Sequence, residues 1–269
     1  AMQSDPIYNY YSQSYFSLTN PVMSQVEQHD SYGFPQLFVL NRGNTTVSMF
    51  YYSFNPLTGN LQSRSGMLGQ QESFTYDNLD RLTGVTLGNS QQTSISYDHN
   101  GNISSKTGLG NYHYPTGTVR PHAVTSVDNT DGLMSSSSQQ ITYNDLGKVA
   151  SISDGSYTME FTYGPDEQRW KTVLKQNNTV IRTILYAGNY ERVTAGTTTR
   201  HFCYLDGGAI YMSEGSNTSG NVYYPVTDHL GSITKLVDLS GNIVFRASYD
   251  AWGKQTITTN TINFHRGYT

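Results

Sequence analysis

The segment TDHLGS, residues 227 to 232, contains the three residue types of a hydrolytic triad: Asp228, His229 and Ser232. A working triad needs the histidine between the acid and the serine in space, and neighbours on one turn rarely reach that geometry. We therefore expect Asp228 to cap a turn, Gly231 to supply its backbone bend, and His229 to pack or hydrogen-bond locally. The sequence predicts no catalytic residue in this segment.

Carboxylates recur along the chain, and a pair of carboxylates can hydrolyse a glycosidic bond. Asp77, Asp98, Asp145 and Asp250 each occupy what the sequence indicates to be the same turn-forming place of a repeat. A residue type that recurs at one register of a repeat favours architecture over catalysis. The sequence thus predicts that the protein is not an enzyme.

The sequence contains few candidates for a metal-binding site or a reactive thiol. His113 and His122 lie near Pro115 and Pro121 in a predicted loop, and no two of the seven histidines have the i,i+4 spacing of helical ligands. The single cysteine, Cys203, excludes an internal disulfide and has no base placed beside it, so it is interpreted as a small strand residue. The sequence predicts no metal site and no cofactor.

Composition narrows the class of protein. The 269 residues include only 13% charged residues, with a net charge of −4, so no basic footprint for nucleic acid is present. No apolar run approaches the ~20 residues of a membrane-spanning helix, and no signal peptide is visible. The 22 tyrosines are the outlier, and abundant aromatic residues suit a pleated, half-buried surface.

The hydropathy pattern alternates, and helical periodicity is nearly absent. In GNIVFRASYDAWG, the residues Ile243, Phe245, Ala247 and Tyr249 fall on one face of a strand. Turn dipeptides such as Asn-Gly and Asp-Gly interrupt the alternation at short intervals. This pattern predicts an all-β fold.

One unit recurs with a period of roughly twenty residues, which is typical of a repeat array. Its clearest copies are FTYDNLDRLTGV, ISYDHNGNIS, ITYNDLGKVAS, FTYGPDEQRW and ASYDAWGKQ. The predicted structural residues of the repeats and of the TDHLGS turn are Tyr76, Asp77, Tyr97, Asp98, Tyr143, Asn144, Tyr163, Asp228, His229, Gly231, Tyr249, Asp250 and Gly253.

The unit is interpreted as a β-hairpin. An aromatic-x-Tyr pair places two rings on one side of a strand, the following Asp or Asn starts a turn, and a glycine supplies positive φ. A lone hairpin is marginally stable in water, so neighbouring hairpins must pair edge to edge. We expect antiparallel hairpins stacked into a curved, twisted strip.

These units resemble the Tyr-Asp repeats of the RHS family. The segment from Tyr223 to Lys254 is similar to the C-terminal core signature of that family, with its Asp-His-Leu-Gly-Ser turn, its Gly-Asn turn and its closing Tyr-Asp-x-aromatic-Gly. The resemblance covers roughly residues 50 to 269. It implies a β-sheet strip that spirals into a shell around a C-terminal toxin or effector, in a bacterial protein that is secreted or displayed on the cell surface.

The resemblance also implies an organisation and partners. Residues 1–49 are expected to form an N-terminal extension with further strands, 50–222 the hairpin repeats, and 223–269 a core-like segment that stops before the self-cleavage motif of the family. The expected partners are the C-terminal effector and neighbouring repeats, with self-association through open sheet edges.

A second function class remains open. Exposed tyrosine rings could stack on sugars, so the chain could be a surface module that binds carbohydrate or protein. The recurrence of the tyrosines at one register of the repeat favours the structural interpretation. A hydrolase that uses Asp228 is a third, disfavoured class.

Overall fold

The computed structural model describes residues 23–66, 69, 71–117, 121–122, 124–132, 140–206, 208–217 and 219–267, and the backbone of 10–15. Every regular element in this part of the chain is a β-strand. Within the described residues the paired strands run antiparallel, and strands that are consecutive in sequence are neighbours in each sheet. The predicted all-β fold of antiparallel hairpins is confirmed.

The strands of the first sheet follow sequence order, from β1 at one edge to β11 at the other. They are β1 Tyr10–Tyr15, β2 Met23–His29, β3 Pro35–Arg42, β4 Thr45–Phe54, β5 Leu61–Ser65, β6 Glu72–Tyr76, β7 Leu82–Leu87, β8 Ser90–Tyr97, β9 Ile103–Lys106, β10 Gly110–His113 and β11 Ser126–Val127.

The later strands also follow sequence order, from β12 to β23. They are β12 Gln140–Tyr143, β13 Val149–Asp154, β14 Tyr157–Tyr163, β15 Arg169–Gln176, β16 Thr179–Ala187, β17 Tyr190–Ala195, β18 Thr198–Tyr204, β19 Ile210–Glu214, β20 Asn221–Thr227, β21 Ile233–Asp238, β22 Ile243–Tyr249 and β23 Gln255–Asn260.

The chain divides into two compact units. Unit 1 comprises Ala1–Leu133 and Val226–Thr269, and unit 2 comprises Met134–Pro225. The predicted three-part division at residues 49 and 222 stays a prediction. The polar run MSSSSQQ, read from the sequence as a linker or hairpin tip, lies outside the described residues apart from its last member.

The core of unit 1 joins the first sheet to the C-terminal strands. Phe50 on β4, Leu236 on β21 and Phe245 on β22 are fully buried. Two buried cations accompany them: the Arg64 guanidinium donates to the Tyr249 carbonyl at 2.6 Å, and the Lys235 ammonium donates to the Ser48 hydroxyl at 2.6 Å. Arg64 is also paired with the buried carboxylate of Glu72. These contacts hold residues far apart in sequence together.

The core of unit 2 is thinner. Its buried apolar side chains come from strands β16 to β20, and most other strand residues are only partly covered. The buried residues include Ile184, Val193, Phe202, Ile210 and Met212.

Two kinds of turn alternate from β6 to β9 and from β12 to β16, whereas consecutive two-residue turns join β15 to β18 and consecutive Asp turns join β20 to β23. Two-residue turns join strands at one end, as at Asn177 and Asn178, whose φ values of 49° and 63° match a type I′ hairpin. Longer turns that begin at an Asp or Asn join strands at the other end. Two strands with one turn of each kind account for the repeat period of roughly twenty residues.

Candidate functional site

The turn after the first clear repeat is built around the carboxylate of Asp77. Its Oδ1 accepts the backbone N–H groups of Leu79 and Arg81 at 2.9 and 3.0 Å. The N–H of Asp80 donates to the Asp77 carbonyl at 3.0 Å, and Asp80 has a φ of 59°. One side chain thus satisfies the backbone donors that a chain reversal leaves without ladder partners.

The same turn recurs along the chain. In each copy an Asp or Asn Oδ1 accepts the N–H groups two and four residues later, and a glycine three residues later has positive φ. In the ITYNDLG copy the acceptor is Asn144, so the interpretation of Asp145 as the turn residue is wrong. The further acceptors are Asp30, Asp98, Asn144, Asp228, Asp238 and Asp250.

One copy takes its side-chain acceptor from a different position, because Asp166 Oδ1 accepts the Gln168 N–H at 3.0 Å. In FTYGPDEQRW, Gly164 occupies the acceptor position, yet its N–H still donates to the Gln168 carbonyl at 2.9 Å. The indole of Trp170 lies where a Cβ on Gly164 would project. The Trp170 ring therefore occupies the space of a side chain at position 164, while Asp166 supplies the carboxylate of this turn.

The repeat tyrosines end the strands that lead into these turns. The hydroxyl of Tyr76 donates to the Leu61 carbonyl at 2.9 Å, and that of Tyr97 donates to the Leu82 carbonyl at 2.8 Å. Each acceptor is the first residue of the strand that leaves the preceding turn. The bond thus links one hairpin to the hairpin before it.

Three more tyrosines repeat this arrangement, with acceptors at the starts of β9, β13 and β21 and distances of 2.9–3.0 Å. They are Tyr114, Tyr163 and Tyr249, which donate to the carbonyls of Ile103, Val149 and Ile233. Tyr143 differs, because its side chain is 62% exposed and the segment before its strand lies outside the described residues. We call the five bonded tyrosines the tyrosine ladder.

The tyrosine hydroxyls and the Asp77 carboxylate are in the protonation states that their hydrogen bonds require. Burial raises the pKa of the Tyr76, Tyr97 and Tyr249 hydroxyls, which keeps them protonated donors at neutral pH. The hydrogen bond from the Arg81 side chain holds the pKa of Asp77 below its usual range, so that turn keeps an ionised acceptor. The repeat tyrosines therefore act as hydrogen-bond donors between hairpins, and Asp77 acts as an acceptor within its turn.

The TDHLGS segment forms one of these turns. Asp228 Oδ1 accepts the N–H groups of Leu230 and Ser232 at 2.9 Å, and Gly231 has a φ of 92°. The His229 ring packs against aromatic side chains of β4. Among the described residues, neither Asp228 Oδ2 nor His229 Nδ1 has a hydrogen-bond partner, so the Asp–His bond of a triad is not formed.

A cavity of about 190 Å³ lies beside this turn in unit 1, and sequence reasoning missed it. Tyr52 brings its hydroxyl to the cavity from β4, and that hydroxyl also lacks a hydrogen-bond partner within the described chain. Burial, together with the charge of Asp228, raises the Tyr52 pKa above the usual range of tyrosine. No sequence motif connects Tyr52 with Asp228, because the two residues meet only through tertiary packing.

Two further cavities differ in character. One cavity of about 460 Å³ in unit 1 is lined by two basic side chains, Lys235 and Arg246. Another of about 460 Å³ in unit 2 is lined by the aromatic side chains of Trp170, Tyr186 and Tyr190. The latter is the feature of unit 2 most suited to stacking on a planar or apolar ligand face.

The histidines examined for metal binding have other partners. His113 pairs with Asp128 at 2.7 Å, and His122 contacts the Asn102 side chain at 2.7 Å. Within the described ranges, no group of three or more His, Cys, Asp or Glu residues is arranged to hold a metal ion. Cys203 lies within β18 and is partly covered.

The sequence matches the family model described as Teneurin YD-shell over residues 7–269. No curated protein is a significant match by sequence. A TccC3 mutant of the Photorhabdus luminescens Tc holotoxin pore has a similar fold, with a TM-score of 0.64 at 13% identity over 87% of this chain. A crystal structure of TcdB2-TccC3 without its hypervariable C-terminal region matches 90% of the chain at 11% identity, with a TM-score of 0.47.

The chain spans 15% and 18% of the lengths of those two structures. At such low identity the Tc holotoxin likeness concerns the fold alone. The family match, in contrast, covers nearly the whole chain, and it confirms the resemblance to Tyr-Asp repeats drawn from the sequence. The chain belongs to the Teneurin YD-shell family.

Proposed function

We propose that this chain is a wall segment of a YD shell that encloses a C-terminal toxin or effector and catalyses no reaction itself. The carrying observation is the tyrosine ladder, in which each bonded hydroxyl links a hairpin to the preceding one. Side chains committed to such bonds are unavailable as nucleophiles or acids. A wall needs continuous edge-to-edge pairing, and the ladder supplies it between consecutive repeats.

The acids of the repeats support the same role. In the bonded copies the Oδ1 atom accepts two backbone N–H groups, which is what a chain reversal requires. Two carboxylates set across a sugar-sized gap would be needed for glycoside hydrolysis. The repeated acids instead lie at successive turns, each bonded within its own turn.

The proposed partners are the effector segment and the neighbouring repeats of the complete protein, and the proposed location is the surface or exterior of a bacterial cell. Within the described residues, no helix is long and apolar enough to cross a membrane. The coding sequence downstream of Thr269 gives the first test. Further family-type repeats followed by a divergent segment would support enclosure, whereas an immediate stop codon would contradict it.

Protease protection gives the direct test in the complete protein. We expect a C-terminal effector segment to resist proteinase K while the shell is folded, and to be digested once urea unfolds the shell. The same effector expressed alone is the control and should be digested in either condition. Equal digestion of the enclosed and free effector segments would contradict the wall role.

A carbohydrate-binding module is the second candidate, and the aromatic cavity of unit 2 favours it. Trp170, Tyr186 and Tyr190 line about 460 Å³ there, and Trp170 is 48% exposed. A glycan array tests this function. Reproducible sugar binding that is lost on Tyr190→Ala, but kept on Tyr157→Ala outside the cavity, would favour the module over the wall.

A further inference from the structure

The cavity beside the TDHLGS turn contains polar atoms with unmet hydrogen-bonding capacity. The Tyr52 hydroxyl, Asp228 Oδ2 and His229 Nδ1 are buried, and none has a hydrogen-bond partner within the described part of the chain. Tyr52 is 8% exposed and Asp228 is 5% exposed. A buried polar atom without a partner is costly, and native proteins rarely keep several together without a use for them.

The unmet oxygen of Asp228 is not a by-product of the turn. In two of the equivalent turns, Asp77 Oδ2 accepts from the Arg81 side chain at 2.7 Å and Asp98 Oδ2 accepts from the Asn102 side chain at 3.3 Å. Position four of the Asp228 turn is instead Ser232, whose backbone N–H bonds Oδ1. Asp228 thus stabilises its turn through Oδ1, while Oδ2 remains available to the cavity.

The lining of this cavity favours a cation. Two carboxylates, Glu27 and Asp228, line it, and no lysine or arginine is among its described lining residues. The charge of Arg64 acts on Tyr52 and His229, but this guanidinium is paired with the Glu72 carboxylate. Burial lowers the pKa of the His229 imidazole, which favours its neutral form. Phe38 and Tyr52 add aromatic rings, which attract an organic cation.

The shape and donor set favour an alkylammonium over a bare metal ion. Pro35, Leu37 and Phe38 supply apolar walls suited to methylene groups. A metal ion would need several oxygen or nitrogen ligands in fixed geometry, and the described residues contain no such cluster. An ammonium has three donors, which match Asp228 Oδ2, the Tyr52 hydroxyl and Glu27 Oε2, since Glu27 Oε1 already accepts from the Gln25 side chain.

We propose that this pocket, lined by Glu27, Phe38, Tyr52, Asp228 and His229, binds a lysine side chain presented by a polypeptide. The ammonium bonds the acceptors at the Tyr52–Asp228 end, and its methylenes lie along the apolar walls. We call this site the Asp228 pocket. The proposal is independent of the wall role, because a lysine anchor could serve an enclosed segment or an external protein.

The test uses the full chain and defined probes. The peptide acetyl-Gly-Lys-Gly-amide is titrated while the histidine and tyrosine ring signals are followed by NMR, with the norleucine peptide as its neutral match. We expect the lysine peptide to shift the Tyr52 and His229 signals saturably and the norleucine peptide to leave them unchanged. n-Butylammonium is a third probe, which separates the side chain from the peptide that carries it.

Variants of the pocket make the test specific. Asp228→Asn keeps the turn acceptor, as Asn144 does natively, but replaces the free oxygen with a donor. Tyr52→Phe removes only the unpartnered hydroxyl. Each should weaken lysine-peptide binding roughly tenfold or more, because a hydrogen bond to a charged group is lost. Asp250→Asn makes the same change in a turn outside the pocket and should leave binding unchanged.

Several results would overturn the proposal. They are no saturable binding of the lysine peptide, equal binding of the norleucine peptide, or undiminished binding by both pocket variants. Binding of n-butylammonium without binding of the lysine peptide would reject a polypeptide occupant. If Asp228→Asn fails to fold, Tyr52→Phe decides alone, because its hydroxyl has no role in the described hydrogen-bond network.

Discussion

The contribution of a tyrosine hydroxyl to the stability of this fold depends on whether the hydroxyl has a hydrogen-bond acceptor. The Tyr76 hydroxyl donates to the Leu61 carbonyl, whereas the hydroxyl of the more deeply buried Tyr52 has no partner in the described chain. Removing one partner of a satisfied bond costs about 1 kcal/mol, while removing an unsatisfied buried group does not. The two tyrosines therefore form a matched pair for one substitution.

We expect Tyr76→Phe to lower the free energy of unfolding by about 1 kcal/mol, and Tyr52→Phe to leave it unchanged or raise it. Urea denaturation at pH 7, followed by circular dichroism, measures both variants against the parent chain. The two substitutions delete the same atom, so side-chain volume and ring packing are controlled. Equal destabilisation by both would contradict the structural role of the tyrosine ladder.

Lys235 is a buried cation whose charge opposes folding. It is 7% exposed and has no carboxylate partner in the described chain, with only the Ser48 hydroxyl and the Phe50 ring as close contacts. Burial, with the like charge of Arg246, lowers the Lys235 pKa to about 8. The unfolded chain therefore binds this proton more tightly than the folded chain does. The free-energy cost of burying the charged ammonium is full below pH 8, and it is relieved as the pH rises toward the pKa of lysine in the unfolded chain.

Lys235→Met should consequently stabilise the chain most at neutral pH. The depressed pKa corresponds to a penalty of about 3 kcal/mol at pH 7, and roughly 2 kcal/mol of it is relieved by pH 9.5. The stability advantage of the variant should shrink by that amount between the two pH values in urea titrations. Lys254→Met, at an exposed position, is the control. An advantage that stays constant with pH would show that the folded-state pKa of Lys235 lies close to its value in the unfolded chain.

At the scale of one element, the hairpin between β14 and β15 departs from the repeat in a way that can be tested. Trp170 occupies the space beside Gly164, so a side chain there must displace the indole. Gly164→Asp, which restores the acceptor of the other repeats, should destabilise the chain by about 1–3 kcal/mol. Asn144→Asp introduces the same residue at the equivalent turn of the preceding hairpin and should be nearly neutral.

Tryptophan fluorescence reports the same displacement. The chain has two tryptophans, so the measurement belongs in a Trp252→Phe background, where Trp170 is the sole emitter. A red shift of the folded-state emission is expected in Gly164→Asp and none in Asn144→Asp. Unchanged emission together with unchanged stability would mean that Trp170 does not depend on a glycine at this position.

The hairpins could be predicted because their determinants are local. An Asp or Asn followed by a glycine three residues later fixes the turn, as at Asp98 and Gly101, and alternation fixes the strands on each side. Two turns show the limit of the pattern, because Asp80 and Glu167 adopt positive φ where other copies have glycine. There the side-chain and backbone bonds of the turn impose the conformation without the residue that favours it.

Contacts between distant segments could not be predicted in this way. Sequence alternation places Arg64 on a strand, but nothing local indicates that its guanidinium reaches the Tyr249 carbonyl. The Asp228 pocket is hidden for the same reason, since Tyr52 and Asp228 belong to different repeats and neither departs from its local pattern. The partners of the ladder hydroxyls needed the relative stagger of two hairpins, which the dipeptide motif does not encode.

For the whole molecule, the important consequence of this topology is that the sheets have ends. Within the described residues, β12 is paired only with β13, and its Ile141 and Tyr143 side chains are 46% and 62% exposed. An edge strand with free N–H and C=O groups and exposed apolar side chains pairs readily with another chain.

We therefore expect the isolated chain to self-associate as its concentration rises, and Tyr143→Lys to reduce that association by placing charge on the edge. Light scattering after size-exclusion chromatography, over a range of loading concentrations, measures the molar mass of each species. Val180→Lys is the control, because Val180 is 53% exposed on β16, a strand paired on both sides. A loss of association in both variants would point to general charge repulsion, and a monomeric parent chain at every concentration would contradict open edges.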